Sequence, residues 1–196
     1  RALLMVLLFL LRVVKCILKG VLALLKLGSI FLAEAPDRDY DDDLVSDDEA
    51  ASRGFTALHV LATQPDVKKL VALIKNRGHD IIFAKDVHGH TALHVASAHG
   101  HIASVVALIY HGRDLLLSDQ SNHGETALHL AAAHGHIDIT RFLCRQGGLN
   151  LMLCRENDGW TCLHSACWNG HTRLALELIG MGGRRLLYSR SDTGGT

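Results

Sequence analysis

Apolar residues in this chain come in short bursts at helical spacing from residue 54 onward. Leu58 is followed by Leu61 and Ala62, and Leu93 by Ala96 and Ser97. Leu128 is followed by Ala131 and Ala132, and Leu163 by Ala166 and Cys167. That i, i+3, i+4 placement marks one face of a helix, and its small residues let neighbouring backbones approach closely. A second burst with larger side chains follows each time: Val67, Leu70, Val71 and Ile74, then Ile102, Val105, Val106 and Ile109. An apolar dyad closes each stretch, as Ile81-Ile82, Leu116-Leu117, Leu151-Met152 and Leu186-Leu187. The pattern predicts an all-α chain built from pairs of amphipathic helices, with each dyad buried between adjacent pairs.

The bursts recur because the sequence does. Gly54-Phe55-Thr56-Ala57-Leu58-His59 returns as Gly89-His90-Thr91-Ala92-Leu93-His94, as Gly124-Glu125-Thr126-Ala127-Leu128-His129 and as Gly159-Trp160-Thr161-Cys162-Leu163-His164. Each copy starts 35 residues after the last, and Gly194-Gly195-Thr196 falls where a fifth would begin. A fixed period of this length is the mark of a solenoid. Thr56, Thr91, Thr126 and Thr161 stand where a helix N-cap is needed, and a threonine hydroxyl can accept from an otherwise unpaired backbone N–H. Gly100, Gly135 and Gly170 suit a left-handed helix stop. The first unit has Gln64-Pro65-Asp66 where the others have a Gly-His pair, so its inter-helix turn should differ. The third has Arg141 where the first two have valine. No unit buries its own apolar face, so stability must come from stacking.

The hexapeptide resembles the T-P-L-H signature of ankyrin repeats. The later G-H pair of that family is present as Gly100-His101, Gly135-His136 and Gly170-His171. The resemblance covers residues 54–196. It implies an ankyrin-repeat solenoid of helix-turn-helix units with extended connecting fingers, at 54–88, 89–123, 124–158 and 159–193, with a truncated fifth at 194–196. Two departures matter: Ala or Cys replaces the usual Pro, and the unit is two residues longer than the family's. The extra length is expected in the finger, where insertions are best tolerated.

The resemblance also implies where a partner binds: on the finger tips and the concave face of the first helices. By column these are Phe55, Thr63 and Gln64 in the first unit, and Val87, His88, His90, Ala98 and His99 in the second. The third contributes Asn122, His123, Glu125, Ala133 and His134, and the fourth Asn157, Asp158, Trp160, Trp168 and Asn169. Both tryptophans of the chain are in this set, and tryptophan is enriched at interface hot spots. For Trp168, packing on a following unit is an open alternative. The clustered histidines suggest binding that varies with pH.

Residues 1–33 are different. Only eight of the 33 are not apolar. At the helical angle per residue, Arg1, Arg12, Lys15, Lys19 and Lys26 fall in an arc of about 60°. The expectation is a long hydrophobic helix with one basic stripe. Four roles stay open: an interfacial helix lying on anionic lipid, a spanning helix, a cleaved targeting segment ending at Ala33-Glu34-Ala35, or a cap packed on the first unit. Lys15 and Lys19 weigh against spanning, since each costs about 2.5–3.5 kcal/mol at a bilayer centre. Residues 34–53 read as an acidic linker, with nine acids and one arginine in 34–49. Such a block repels itself and extends. It lacks the glycine an EF-hand loop requires. Ser46-Asp47-Asp48-Glu49 resembles an acidophilic kinase site.

Composition narrows function. The net charge is zero, so nothing points to a nucleic-acid partner. The five cysteines, Cys16 and four others, have no framework spacing, which favours free thiols in a reducing, cytoplasmic setting. Fourteen histidines invite a metal, but half of them sit in the T-A-L-H and G-H columns, and the resemblance implies that those rings hydrogen-bond backbone in the turns. No catalytic constellation, phosphate loop or cofactor motif is present in the repeats, so neither an enzyme nor a small-molecule substrate is expected. The reading is a non-catalytic protein-protein interaction module, a scaffold or adaptor, with membrane association through residues 1–33 as a further expectation. The alternative is the regulatory ankyrin region of a larger membrane channel, transporter or enzyme. With Arg as its first residue, the chain reads as a fragment.

Overall fold

The computed structural model of the chain describes residues 56–192. The expected hydrophobic helix at 1–33, the acidic linker at 34–53 and the opening of a fifth unit at 194–196 lie outside the described residues. Each hexapeptide starts a short helix: α1 (Ala57–Ala62), α3 (Ala92–Ala98), α5 (Ala127–Ala133) and α7 (Cys162–Trp168). Each is followed by a longer one: α2 (Val67–Arg77), α4 (Ile102–Leu117), α6 (Ile137–Met152) and α8 (Thr172–Leu187). A 3-10 helix, His79–Phe83, follows α2, and no strand occurs among the described residues. Short helices pack on the short helices of the next unit, and long on long. The described part is therefore a row of helix pairs, an all-helical repeat stack.

The interior is continuous along that row. Leu58, Leu93, Leu128 and Leu163 are all buried, as are the small residues beside them, Ala62, Ala96, Ala131 and Ala166. From the long helices come Leu70 and Ile74, then Val105 and Leu108, then Ile139 and Leu143, then Leu174 and Leu178. Ile102, read from its spacing as part of the buried face, is exposed at the first turn of α4. Arg141 reaches the next unit and pairs with Glu177 at 2.8 Å, so an ion pair bridges α6 and α8 where the earlier units use valine. At its partial exposure such a pair contributes about 0–1 kcal/mol.

The chain past the late glycine of the second, third and fourth units is helical for a further turn: α4, α6 and α8 run beyond Gly112, Gly147 and Gly182 to Leu117, Met152 and Leu187. In α6 and α8 that turn is set off by Gly148 and Gly183, both at φ 59°. Beside them, a Cβ on Gly147 would meet the Leu151 side chain at 2.5 Å, so only glycine lets the last turn fold back. The turn carries the dyad inward while its backbone stays hydrogen-bonded, which an extended loop could not do. Ile82, Leu116, Leu117, Leu151, Met152 and Leu186 are buried accordingly. Ile81 and Leu187 are the corrections: Ile81 is half-buried, and Leu187 is 41% exposed, where Leu117 and Met152 in its column are at most 5%.

Histidine holds the row in register. Thr56, Thr91, Thr126 and Thr161 each form a reciprocal capping box with the histidine three residues on. Histidine here takes the place usually given to Glu or Gln. In the second unit the Thr91 N–H donates to His94 Nδ1 at 3.2 Å, and the Thr91 hydroxyl lies 2.9 Å from the same nitrogen. Nδ1 must therefore be unprotonated, and Nε2 carries the hydrogen. That N–H reaches forward to the next unit: His59 to the His90 carbonyl at 2.8 Å, His94 to that of Glu125 at 3.0 Å, His129 to that of Trp160 at 3.2 Å. A second column reaches backward. His101, His136 and His171 bond the carbonyls of Thr63, Ala98 and Ala133, each at 2.9 Å. The first unit lacks this pair at its own turn, and there Asp66 caps α2 instead, accepting from Lys68 and Lys69.

Two tests follow from this packing. Leu128→Ala should cost about 2–5 kcal/mol in urea unfolding, whereas Leu115→Ala, at a side chain 75% exposed, should stay within about 0.5 kcal/mol. The second concerns pH. Burial holds His59, His94 and His129 below the usual imidazole value, His94 down to about 4. An unfolded chain protonates these rings near 6.5, so it binds more protons than the folded one between 6.5 and about 4. Stability should be full above 6.5 and fall as pH drops through that window, with His94 alone contributing on the order of 3 kcal/mol. Urea midpoints that stay level from about pH 7.5 down to about pH 5 would refute the neutral-imidazole network.

Candidate protein-binding face

The fingers at 86–90 and 121–125 are tight turns, each organised by one side chain at its base. Asp86 Oδ1 accepts from the N–H groups of His88 at 2.9 Å and His90 at 2.7 Å. Ser121 Oγ does the same for His123 and Glu125, both at 3.2 Å. Gly124 sits at φ 78°, and a Cβ there would lie 2.8 Å from the Asn157 backbone nitrogen of the neighbouring finger. The fingers can approach that closely because they bond each other. Asn122 N–H donates to the His88 carbonyl, Asn157 to that of His123, and Asp192 to that of Asp158. A side-chain ladder runs beside these rungs. Lys85 reaches the Gln120 carbonyl and Asp119, Gln120 reaches the Arg155 carbonyl, and Arg155 reaches the Arg190 carbonyl and Asp192.

The sequence-predicted residues divide by what they do in this scaffold. Phe55 lies outside the described residues. The half-buried Thr63, Ala98 and Ala133 lend their carbonyls to the histidine column. Asn122 and Asn157 are exposed, yet their amides donate to the Val87 and Asn122 carbonyls at 3.0 Å each. Asn169 bonds Ser165 O within its own helix end. Gln64, Val87, His88, His99, His123, His134 and Asp158 are exposed on the fingers and at the ends of the short helices. His90 and Glu125 are half-buried and face each other, with His90 Nε2 3.7 Å from Glu125 Oε2 and Nδ1 3.6 Å from Asp86 Oδ2. The Glu125 carboxylate raises the His90 pKa, and His90 in turn lowers that of Glu125.

Trp160 and Trp168 come together. Their ring centroids are 5.4 Å apart at an interplanar angle of 60°. Trp160 also lies against His164 at 6.2 Å. Trp168 leaves 77% of its surface open, and no described residue covers it. The stack thus carries an aromatic pair at one end of the face and a histidine-rich stretch over its second and third units.

Cys144 and Cys162 are buried, and burial pushes the Cys144 thiol up to about 12, far from a nucleophilic thiolate. No group of three His, Cys, Asp or Glu side chains that could hold a metal occurs among the described residues. Sequence reasoning missed the base residues Asp86 and Ser121 and the Lys85, Gln120, Arg155 ladder. The ladder had a readable signal: long side chains with hydrogen-bond donors recurring at the same 35-residue interval.

No curated protein matches the chain. A family model of ankyrin repeats, three copies long, matches residues 13–119 and again 113–184. The first match begins within the apolar N-terminal segment. Together the matches span most of the chain, and they agree with the row of helix pairs, the capped T-A-L-H helix starts and the finger turns. The chain belongs to the ankyrin repeat family.

Proposed function

We propose that this chain is a non-catalytic scaffold or adaptor that presents its fingers and short helices to a protein partner. Ankyrin repeats generally mediate protein–protein interaction and are typically non-catalytic. The observation that carries the reading here is the Trp160–Trp168 pair. Leaving a tryptophan 77% exposed beside a second one keeps apolar surface in water that a partner would remove. The exposed polar side chains along the same face give that partner hydrogen-bonding groups around an aromatic anchor. The opposite surface has exposed apolar residues too, such as Tyr110 and Leu115, so the two surfaces can be compared directly.

A photo-crosslinking residue placed at Trp168 or Asp158 in the full chain should give discrete adducts in cells, and one at Tyr110 or Leu115 should not. Adducts from the second pair alone would overturn the reading. Trp168→Ala should weaken a partner captured this way by about 2 kcal/mol or more, the cost of losing a hot-spot aromatic, while leaving the urea midpoint unchanged.

The basic stripe on residues 1–33 supports a second element of the proposal, that the module is held at an anionic membrane surface. Taken at the helical angle per residue, the spacing of its five cations gathers them in one narrow arc, and none of the 33 residues is acidic. Among the described residues no helix is long and apolar enough to cross a membrane. The full chain should float with phosphatidylserine-rich vesicles and sediment with neutral ones. Lys15→Glu combined with Lys19→Glu should abolish flotation; wild-type chain that never floats would remove the membrane from the proposal.

A further inference from the structure

The histidines of this protein fall into two populations that respond to a proton in opposite ways. In the capping boxes of the first three units the rings are buried and both nitrogens are committed, so a proton can enter only at Nδ1, where it breaks the bond from the threonine N–H that starts the helix. His99 and His134 are exposed at the ends of α3 and α5, in one column of the repeat. His99 Nδ1 donates to the Val95 carbonyl of its own helix at 2.9 Å. In the neutral ring Nε2 is then unprotonated. A proton added there creates a new donor and leaves the helix bond intact.

The charge of the face turns on these rings. Its predicted positions carry five imidazoles, His88, His90, His99, His123 and His134, against two carboxylates, Glu125 and Asp158, and no lysine or arginine. The formal charge runs from two negatives with neutral rings to three positives with all five protonated. Glu125 is already occupied, with His90 at 3.7 Å and Ser121 at 3.4 Å. Asp158 lies a unit away, at the tip of the finger that carries Trp160. Around His99 and His134 the neighbours are mostly more imidazoles. His101 and His136 stack on them at 6.2 Å each, His171 is close enough to act on His134, and Glu125 is the one carboxylate that reaches it. Burial and these rings keep His134 below the ordinary value. The row is therefore short of counter-charge, and an arriving carboxylate would supply it.

We infer that the His99–His134 row receives the carboxylates of an acidic partner segment, and that binding takes up protons on that row. This rests on the fingers and short helices being the partner face and names the chemistry of what they take. The Trp160–Trp168 pair, on the next unit, accepts an apolar residue of the same segment.

The probe is a fluorescein-labelled peptide of glutamates with one leucine, titrated onto the full chain at about pH 6 and about pH 8, with circular dichroism confirming that the protein stays folded at both. A single proton taken up allows up to about tenfold in affinity per pH unit, so the peptide should bind several-fold to about a hundredfold more tightly at the lower pH. His99→Gln with His134→Gln should remove most of that gain, and a lysine peptide of the same length should show none. Calorimetry in two buffers of different ionisation enthalpy should register net proton uptake with the wild-type protein. Equal affinity at the two pH values, or a double variant that keeps the full gain, would overturn the inference. If crosslinks form at Trp168 and Asp158 while the peptide result is negative, the partner face stands and only the acidic partner is lost.

Discussion

A neutral imidazole shared between two units is the interaction on which this stack depends. Each short helix is too brief to be stable by itself, and each unit shows apolar surface to both neighbours. Packing buries that surface but is tolerant of small slips, because hydrophobic contact is not directional. The histidines of the T-A-L-H segments remove the slack. One nitrogen closes the capping box that starts the helix, and the other fixes a carbonyl in the next finger. The G-H histidines fix the preceding unit in the same way. Helix initiation and unit spacing are thereby joined through a single ring. The capping half of that arrangement exists only while Nδ1 is unprotonated, and burial is what keeps it so.

The same residue type serves the opposite purpose on the surface. An exposed histidine costs little to protonate and can change the sign of a face that has few fixed charges. Several fixed charges near the fingers are used internally: Lys85 and Arg155 on finger carbonyls and neighbouring acids, Arg141 on Glu177, Glu125 on His90. What the face leaves open is imidazole, amide and indole, with Asp158. A surface of that kind favours partners that bring their own charge, and it ties their binding to pH without requiring the scaffold to move.

Much of this was readable from residue order. The period, the helix starts at Thr56, Thr91, Thr126 and Thr161, the buried leucine column and the different first turn at Gln64-Pro65-Asp66 all follow from local chemistry that repeats. Other features were not readable. The helical turn past Gly147, which carries Leu151 and Met152 into the core, could not be told from an open finger by spacing. Leu187 carries the same sequence signal as Met152 and is 41% exposed. On the face, Thr63, Ala98 and Ala133 looked variable and hence available, yet their backbone carbonyls serve the stack. That service could not be read from the side chain.

Sequence alone determined that this is a repeating all-helical chain, where each helix begins, and which residue types line each column. These are consequences of spacing within a unit, where neighbours are three or four positions apart. Only the tertiary structure decided which histidine nitrogen meets which carbonyl, that Trp160 and Trp168 touch, and which exposed groups are left for a partner. Those contacts join residues in different units or at opposite ends of one helix, and their distances are fixed by how helix pairs settle against one another.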